Sequence, residues 1–208
     1  MSLEIWIVFA LTSVVLLAIP GPTIMLVASY AFSGGRRTGL ATVPGVTLGD
    51  FTAMTISLMG AGAVLAASAT LFTILKLCGA AYLVWMGIGL WRSGGEGNGF
   101  GKDRKVPNMK KLFTNAYVVT ALNPKSIIFF VAFVPQFVDP ARPVFQQFAI
   151  LEITFVVLAM VNTAIWVLLA DKMKIIFSSQ VAKVRANRIG GGFLVGAGVL
   201  TATTGTVD

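Results

Sequence analysis

The sequence predicts an all-α, polytopic membrane protein of six transmembrane helices, arranged as two inverted three-helix repeats. Three observations lead there. The chain of 208 residues is 56% hydrophobic and 12% charged, with mean hydropathy +0.86; soluble domains carry about twice that charged fraction. Its apolar residues fall into runs that meet the roughly 17–25 residues needed to cross the hydrocarbon core as a helix. Its lysines and arginines gather in alternate connections between those runs, as membrane topology demands.

The runs are read in order. The first, Ile5 to Phe32, carries no charge, and the second, Gly39 to Ala69, carries Asp50 alone. The third, Leu71 to Trp91, holds Lys76 near its start, and the fourth, Leu112 to Val138, holds Lys125. The fifth, Val144 to Ala170, holds Glu152, and the sixth, Ile189 to Val207, is uncharged but rich in Gly and Thr. No Lys or Arg precedes the first run, which is also too long for the apolar core of a signal peptide, so it is read as the first span.

Connections one, three and five hold thirteen of the sixteen basic residues, among them Arg36, Arg37, Arg104, Lys105 and Arg188. These connections are therefore expected in the cytoplasm, with both termini outside. Ser93 to Gly101 (SGGEGNGFG) has the composition of a flexible linker. It divides one transmembrane domain, 1–208, into a first repeat at about 1–92, a cytoplasmic linker at about 93–111 and a second repeat at about 112–208. A shift of 102 positions sets Pro22 on Pro124, Asp50 on Glu152 and Thr52 on Thr154. With three spans per half, the second repeat runs upside down relative to the first, which brings equivalent points together near mid-membrane.

Several function classes drop out. The chain has no histidine, which removes most zinc hydrolases, haem sites and imidazole bases. Cys78 lies in an apolar run and excludes disulfide frameworks and Cys-ligated metals within one chain. The net charge of +8 sits in short loops rather than on an amphipathic face, so nucleic acid is not an expected partner. No phosphate-binding Walker sequence occurs, and neither a cofactor nor a metal is expected.

Four constellations remain. Pro20, Gly21, Pro22 and Thr23 stand inside the first span, where two prolines remove helical donors and should break the helix. The broken end must be covered by protein or face a wet cavity, and the N–H groups of the following half-helix suit a carboxylate. Asn123, Pro124 and Lys125 repeat the pattern in the fourth span and add a cation about thirteen residues from either end, too deep to reach the interface. Asp50 and Glu152 are candidate proton-coupling carboxylates, and Lys125 is expected near one or both. The bland alternatives are a simple proline kink and a structural charge pair. The GxxxG pairs Gly35/Gly39, Gly45/Gly49 and Gly192/Gly196 are read as close helix packing. Gln136 and Asn162 are candidate polar lining.

Taken in order, these residues resemble the LysE/RhtB family of amino-acid exporters. The matching pieces are Pro20-Gly21-Pro22, Gly35-x-x-x-Gly39, Gly45-x-x-x-Gly49-Asp50, Ala80 to Gly87 (AAYLVWMG), Asn123-Pro124-Lys125 and Phe129 to Phe137 (FFVAFVPQF). The resemblance covers nearly the whole chain. It implies a secondary transporter in a bacterial inner membrane, exporting amino acids or homoserine-like metabolites on the proton gradient. Its partners would be a small amino-acid substrate and the lipid bilayer, with a homo-oligomer left open. A six-span cation exporter or channel, a membrane-embedded enzyme and a non-transporting assembly subunit are the competing readings. The absence of histidine disfavours soft metals, and no supporting motif favours an enzyme.

The charge asymmetry makes a prediction. With Arg104→Cys on a Cys78→Ser background, an impermeant thiol reagent should leave intact cells unlabelled and label inverted membrane vesicles. Labelling from outside would overturn the topology.

Overall fold

The protein is described from a computed structural model. It covers residues 1–67, 69–92, 108–139 and 141–170, and positions 181, 184–185, 188–189, 191–192, 195–196, 199 and 202. The linker at 93–101, the basic residues Lys102, Arg104, Lys105, Lys172, Lys174 and Lys183, and much of the sixth predicted span lie outside the described residues. Every regular element among the described residues is helical.

Within the continuous described stretches, the α-helices run in the order α1 (Leu3–Ala18), α2 (Pro22–Leu40), α3 (Val43–Ala67), α4 (Ala69–Arg92), α5 (Met109–Ala121), α6 (Pro124–Ile128) and α7 (Val144–Leu168). A π-turn at Phe129–Phe133 and a 3₁₀ turn at Val134–Phe137 extend α6. The π-turn ends two residues before Pro135, whose missing N–H and bulky ring oppose regular i→i−4 pairing.

Both predicted breaks form, for the reason the sequence gives. A residue before proline is driven out of the α region. Gly21 before Pro22 has φ −109° and ψ −170°, and Asn123 before Pro124 has φ −71° and ψ 109°. Each proline then opens the next helix at its first position, where no donor is needed. The helices on either side of the breaks bend by 53° between α1 and α2, and by 41° between α5 and the α6 extension.

The first basic connection differs from expectation. Arg36 and Arg37 directly follow a non-helical break at Gly35, where two helical stretches of α2 meet, so this connection is a short helical turn rather than an open loop. Gly35 has φ +76°, a backbone state side chains disfavour, and a Cβ there would meet nothing within 4 Å. Its role is conformational, not the close packing that the GxxxG spacing suggested.

α7 is long and apolar enough to cross a membrane alone, and each bent pair is so when taken as one span. α3 and α4, at 25 and 24 residues, have the length of a span. On α7 one stripe faces inward (Leu151, Phe155, Ala159, Thr163, Val167), while Ile153, Val157, Val161, Ile165 and Leu168 are exposed. A helix apolar all round whose outer face stays uncovered belongs in lipid.

Two apolar clusters form the core. One gathers Phe9, Leu16, Met54, Leu58, Phe129, Phe130, Phe133, Leu151 and Phe155, among others. The other is smaller and made of Val27, Ala31, Val46, Ala116, Val167 and Ala170. Four tracks pass from one cluster to the other: α1 into α2, α3, α5 into α6, and α7. On each track, the residues between the clusters are those at the breaks or beside them, including Gly21, Asp50, Asn123 and Asn162. The polar region is therefore enclosed at both ends by apolar packing.

α3 lies along α5, and Gly45 and Gly49 allow it. A Cβ on Gly45 would strike the Phe113 carbonyl, and one on Gly49 would come within 2.8 Å of Thr120 Cβ and 2.9 Å of the Tyr117 carbonyl. Gly39 similarly admits Val167 of α7, and Gly192 approaches the Trp91 ring, while Gly196 meets nothing within 4 Å among the described residues. Gly49→Val should therefore cost about 1–3 kcal/mol through overpacking and lower the melting temperature in detergent. The same substitution at Gly60, where a Cβ meets nothing within 4 Å, should change it little.

Candidate functional site

The two breaks meet. Gly21 of the first faces the Lys125 side chain of the second, so that a Cβ on Gly21 would lie 3.5 Å from Lys125 Cδ and 3.8 Å from Nζ. Thr23 Oγ1 accepts hydrogen bonds from Asn123 Nδ2 at 3.3 Å and from Thr120 Oγ1 at 3.2 Å. Between the breaks lies a cavity of about 30 Å³, lined by residues of α1, α2, α3, α6 and α7.

Lys125 is the central side chain. Its ammonium donates to the carbonyls of Leu16 and Ile19, each at 2.7 Å. These are main-chain oxygens at the C-terminal end of α1, where the helix runs out of internal donors and carries partial negative charge. Asn162 Nδ2 donates to the neighbouring Leu17 carbonyl at 3.2 Å. Side chains from α6 and α7 thus cover the end of α1, as a helix ending in an apolar medium requires. Lys125 was expected to need a carboxylate partner or a wet cavity; its direct partners are carbonyls.

Asp50 is 4% exposed and lines the same cavity as Lys125. Among the described residues, the ion pair at contact distance is Arg142–Asp139 at 3.2 Å, on the surface, so Asp50 and Lys125 share the cavity without touching. An ammonium has three donors, and two of those on Lys125 are occupied.

The half-helix N-termini differ from each other. Asn123 caps α6 by accepting from the Lys125 N–H at 3.2 Å. α2 has no side-chain cap, and its first residues, Gly21, Thr23 and Ile24, line the cavity. An uncapped helix N-terminus facing a cavity is suited to an anionic group.

Not every expected residue joins this site. Glu152 lies elsewhere on the α3–α7 contact, hydrogen-bonded to the Thr55 hydroxyl, and does not line the cavity. The two carboxylates of the repeat pattern are therefore in different environments. Gln136 donates to the Ala132 carbonyl one turn back at 2.8 Å and lies outside the lining. Pro20, Pro22 and Pro124 shape the breaks without lining the cavity. Ser126 and Thr163 do line it and escaped the sequence reading, although each directly follows a residue that reading chose. The carbonyls of Leu16 and Ile19 carry no side-chain signal at all.

Broken, lipid-suited helices around a small cavity that gathers polar side chains define an integral membrane protein. The family model for LysE type translocators matches residues 14–205, and the chain belongs to that family. A Vibrio cholerae protein described as an uncharacterized membrane protein is 34% identical over 203 residues, covering 98% of each chain. The homoserine/homoserine lactone efflux protein of Salmonella typhimurium is 33% identical over 173 residues, covering 83% of this chain and 84% of its own. A Pseudomonas aeruginosa membrane protein, also described as uncharacterized, is 32% identical over 157 residues, covering 74% of this chain and 70% of its own. No solved structure matches.

Lys125→Met keeps the bulk of the side chain and removes its donors. It should strand two helix-end carbonyls, at about 1–3 kcal/mol for each buried group left unpaired. The expected result is a clear fall in melting temperature in detergent, larger than that of Gln136→Met. Equal, small shifts for the two variants would show that the Lys125 bonds carry no stability.

Proposed function

We propose that the protein is a secondary carrier that exports amino acids or closely related metabolites from the cytoplasm across a bacterial inner membrane, by proton antiport. The observation that carries this reading is the cavity between the two breaks. It combines a carboxylate (Asp50), a cation with one donor uncommitted (Lys125) and an uncapped helix N-terminus (α2). That set is complementary to a zwitterion. The substrate carboxylate binds the first-turn N–H groups of α2 and the third donor of Lys125, and its ammonium pairs with Asp50. Family membership and the efflux proteins named among the relatives support the same reading.

The remaining features follow from this reading. Six spans in two inverted repeats, with both termini outside, place the breaks near mid-membrane. A cavity of about 30 Å³ has room for one or two waters and is roughly a tenth of the ~300 Å³ at which ligand pockets begin. The described conformation is thus too tight to hold an amino acid, and loading requires the helices around the breaks to part. Asp50 then alternates between two partners, the substrate ammonium on the way out and a proton on the way back. Glu152, held by Thr55 outside the cavity, has a structural role.

Proteoliposomes with labelled amino acids, with and without a pH gradient, test the proposal. The parent should move substrate uphill only when the gradient is present. Asp50→Asn should lose uphill export while retaining exchange of labelled for unlabelled substrate at raised KM, and Glu152→Gln should export like the parent. Normal uphill export by Asp50→Asn would remove proton coupling from this site.

A further inference from the structure

The two ends of the cavity are sealed by different materials. On the side of Val27, Ala31, Val46, Ala116, Val167 and Ala170 the buried seal is valine and alanine, with Phe32 packed against it. On the other side the seal is a continuous chain of aromatic rings. Phe9 of α1 meets Phe137 edge-on at 5.3 Å, Phe137 meets Phe133 at 5.1 Å, and Phe133 stacks on Phe129 at 5.1 Å. Phe129 and Phe130 both reach Phe155 of α7, at 5.9 and 4.8 Å. The chain crosses from α1 to α7 by way of the π-turn and the 3₁₀ turn that follow the second break.

One buried polar group at this apolar end has no hydrogen-bond partner among the described residues. Ser13 is 0% exposed, and its hydroxyl is a buried side-chain polar atom with no hydrogen-bond partner. It lies on the buried stripe of α1 between Phe9, in the ring chain, and Leu16 and Leu17, which line the cavity. Spacings of three and four residues keep these side chains on one helix face. A serine in an apolar plug without a partner weakens the plug and contributes nothing to its packing. It has a use when the plug opens and something polar passes.

We propose that the chain Phe9, Phe137, Phe133, Phe129, Phe130 and Phe155 is the outer gate of the carrier. Ser13 lines the route through it and hydrogen-bonds the departing zwitterion. The inference rests on the export reading for the direction and the cargo. The topology argued from the basic residues sets the N-terminal half of α1, and with it the ring chain, on the external side. The valine–alanine seal is then the inner gate. The outer gate parts its rings as the helix carrying the π-turn moves against α1 and α7. A π-turn provides a place for that motion, because its hydrogen-bond register already departs from the α pattern.

The test uses Ser13→Cys on the Cys78→Ser background, reconstituted in proteoliposomes and probed with an impermeant methanethiosulfonate reagent on the external face. The cysteine should react slowly at rest. Labelling follows the open fraction, so Phe130→Ala should accelerate it about tenfold with no substrate present, and turnover with amino acid and a pH gradient should accelerate it similarly. Phe133→Leu, a milder change, serves if Phe130→Ala fails to fold. Ser13→Ala, with both gates intact, should reduce the rate of export and leave the melting temperature unchanged or higher. Unaltered Ser13→Cys labelling in the folded ring variants, or labelling from the cytoplasmic face alone, would overturn the outer gate. Flux through the Cys78→Ser parent tests the export reading separately. If no amino acid moves while the ring variants still expose Ser13→Cys, the cargo is wrong and the gate stands.

Discussion

The contact on which the rest of the structure depends is the Lys125 ammonium seated on the last carbonyls of α1. A lysine deep in an apolar helix and a helix ending inside a membrane are each unfavourable alone. Together they compensate each other, with the cation against the partial negative charge of the helix end at two distances of 2.7 Å. The partners are 109 and 106 residues apart in sequence, so the contact also ties the two breaks to each other. Thr23 with Asn123 and Asn162 with the Leu17 carbonyl complete the junction.

From that junction the polar chemistry follows by exclusion. Apolar packing closes both ends, the end of α1 is covered, and α6 is capped by its own Asn123. Among what is left facing the cavity are Asp50, the uncapped start of α2 and the third donor of Lys125, beside the Ser126 and Thr163 side chains. Asp50 and Lys125 line one cavity without touching each other. A site of this kind is built by folding from groups that are individually costly, which is why they occur next to helix breaks that the same groups repair.

Packing between helices is set by smaller means. Gly45 and Gly49 bring α3 to within van der Waals reach of the α5 backbone, and Gly39 lets the Val167 side chain of α7 pack against α2. These contacts surround the valine–alanine seal, whereas the ring chain seals the far end. The unequal seals are a property of the same four tracks that carry the polar residues. The polar lining and the two apolar clusters therefore lie along the same helices.

What the sequence determined by itself was everything governed by local or one-dimensional physics. Proline excludes its own donor and restrains its predecessor wherever it stands, so the breaks at Pro22 and Pro124 were legible without a fold. Apolar run length made the membrane class legible, and the GxxxG spacing marked close approaches at both glycines of Gly45/Gly49 and at one glycine, Gly39 or Gly192, of each other pair. The tertiary structure decided which groups meet. Each residue turns a helix by about 100°, so the rotation of α7 against α3 sends Glu152 to Thr55 and Asn162 into the cavity, and no spacing rule on one helix states that rotation. The same is true of the Lys125 partners, which are main-chain oxygens and leave no trace in residue identity. Gly35 kept the spacing of a packing motif while serving a backbone turn, because a glycine's identity is compatible with either use until φ is known.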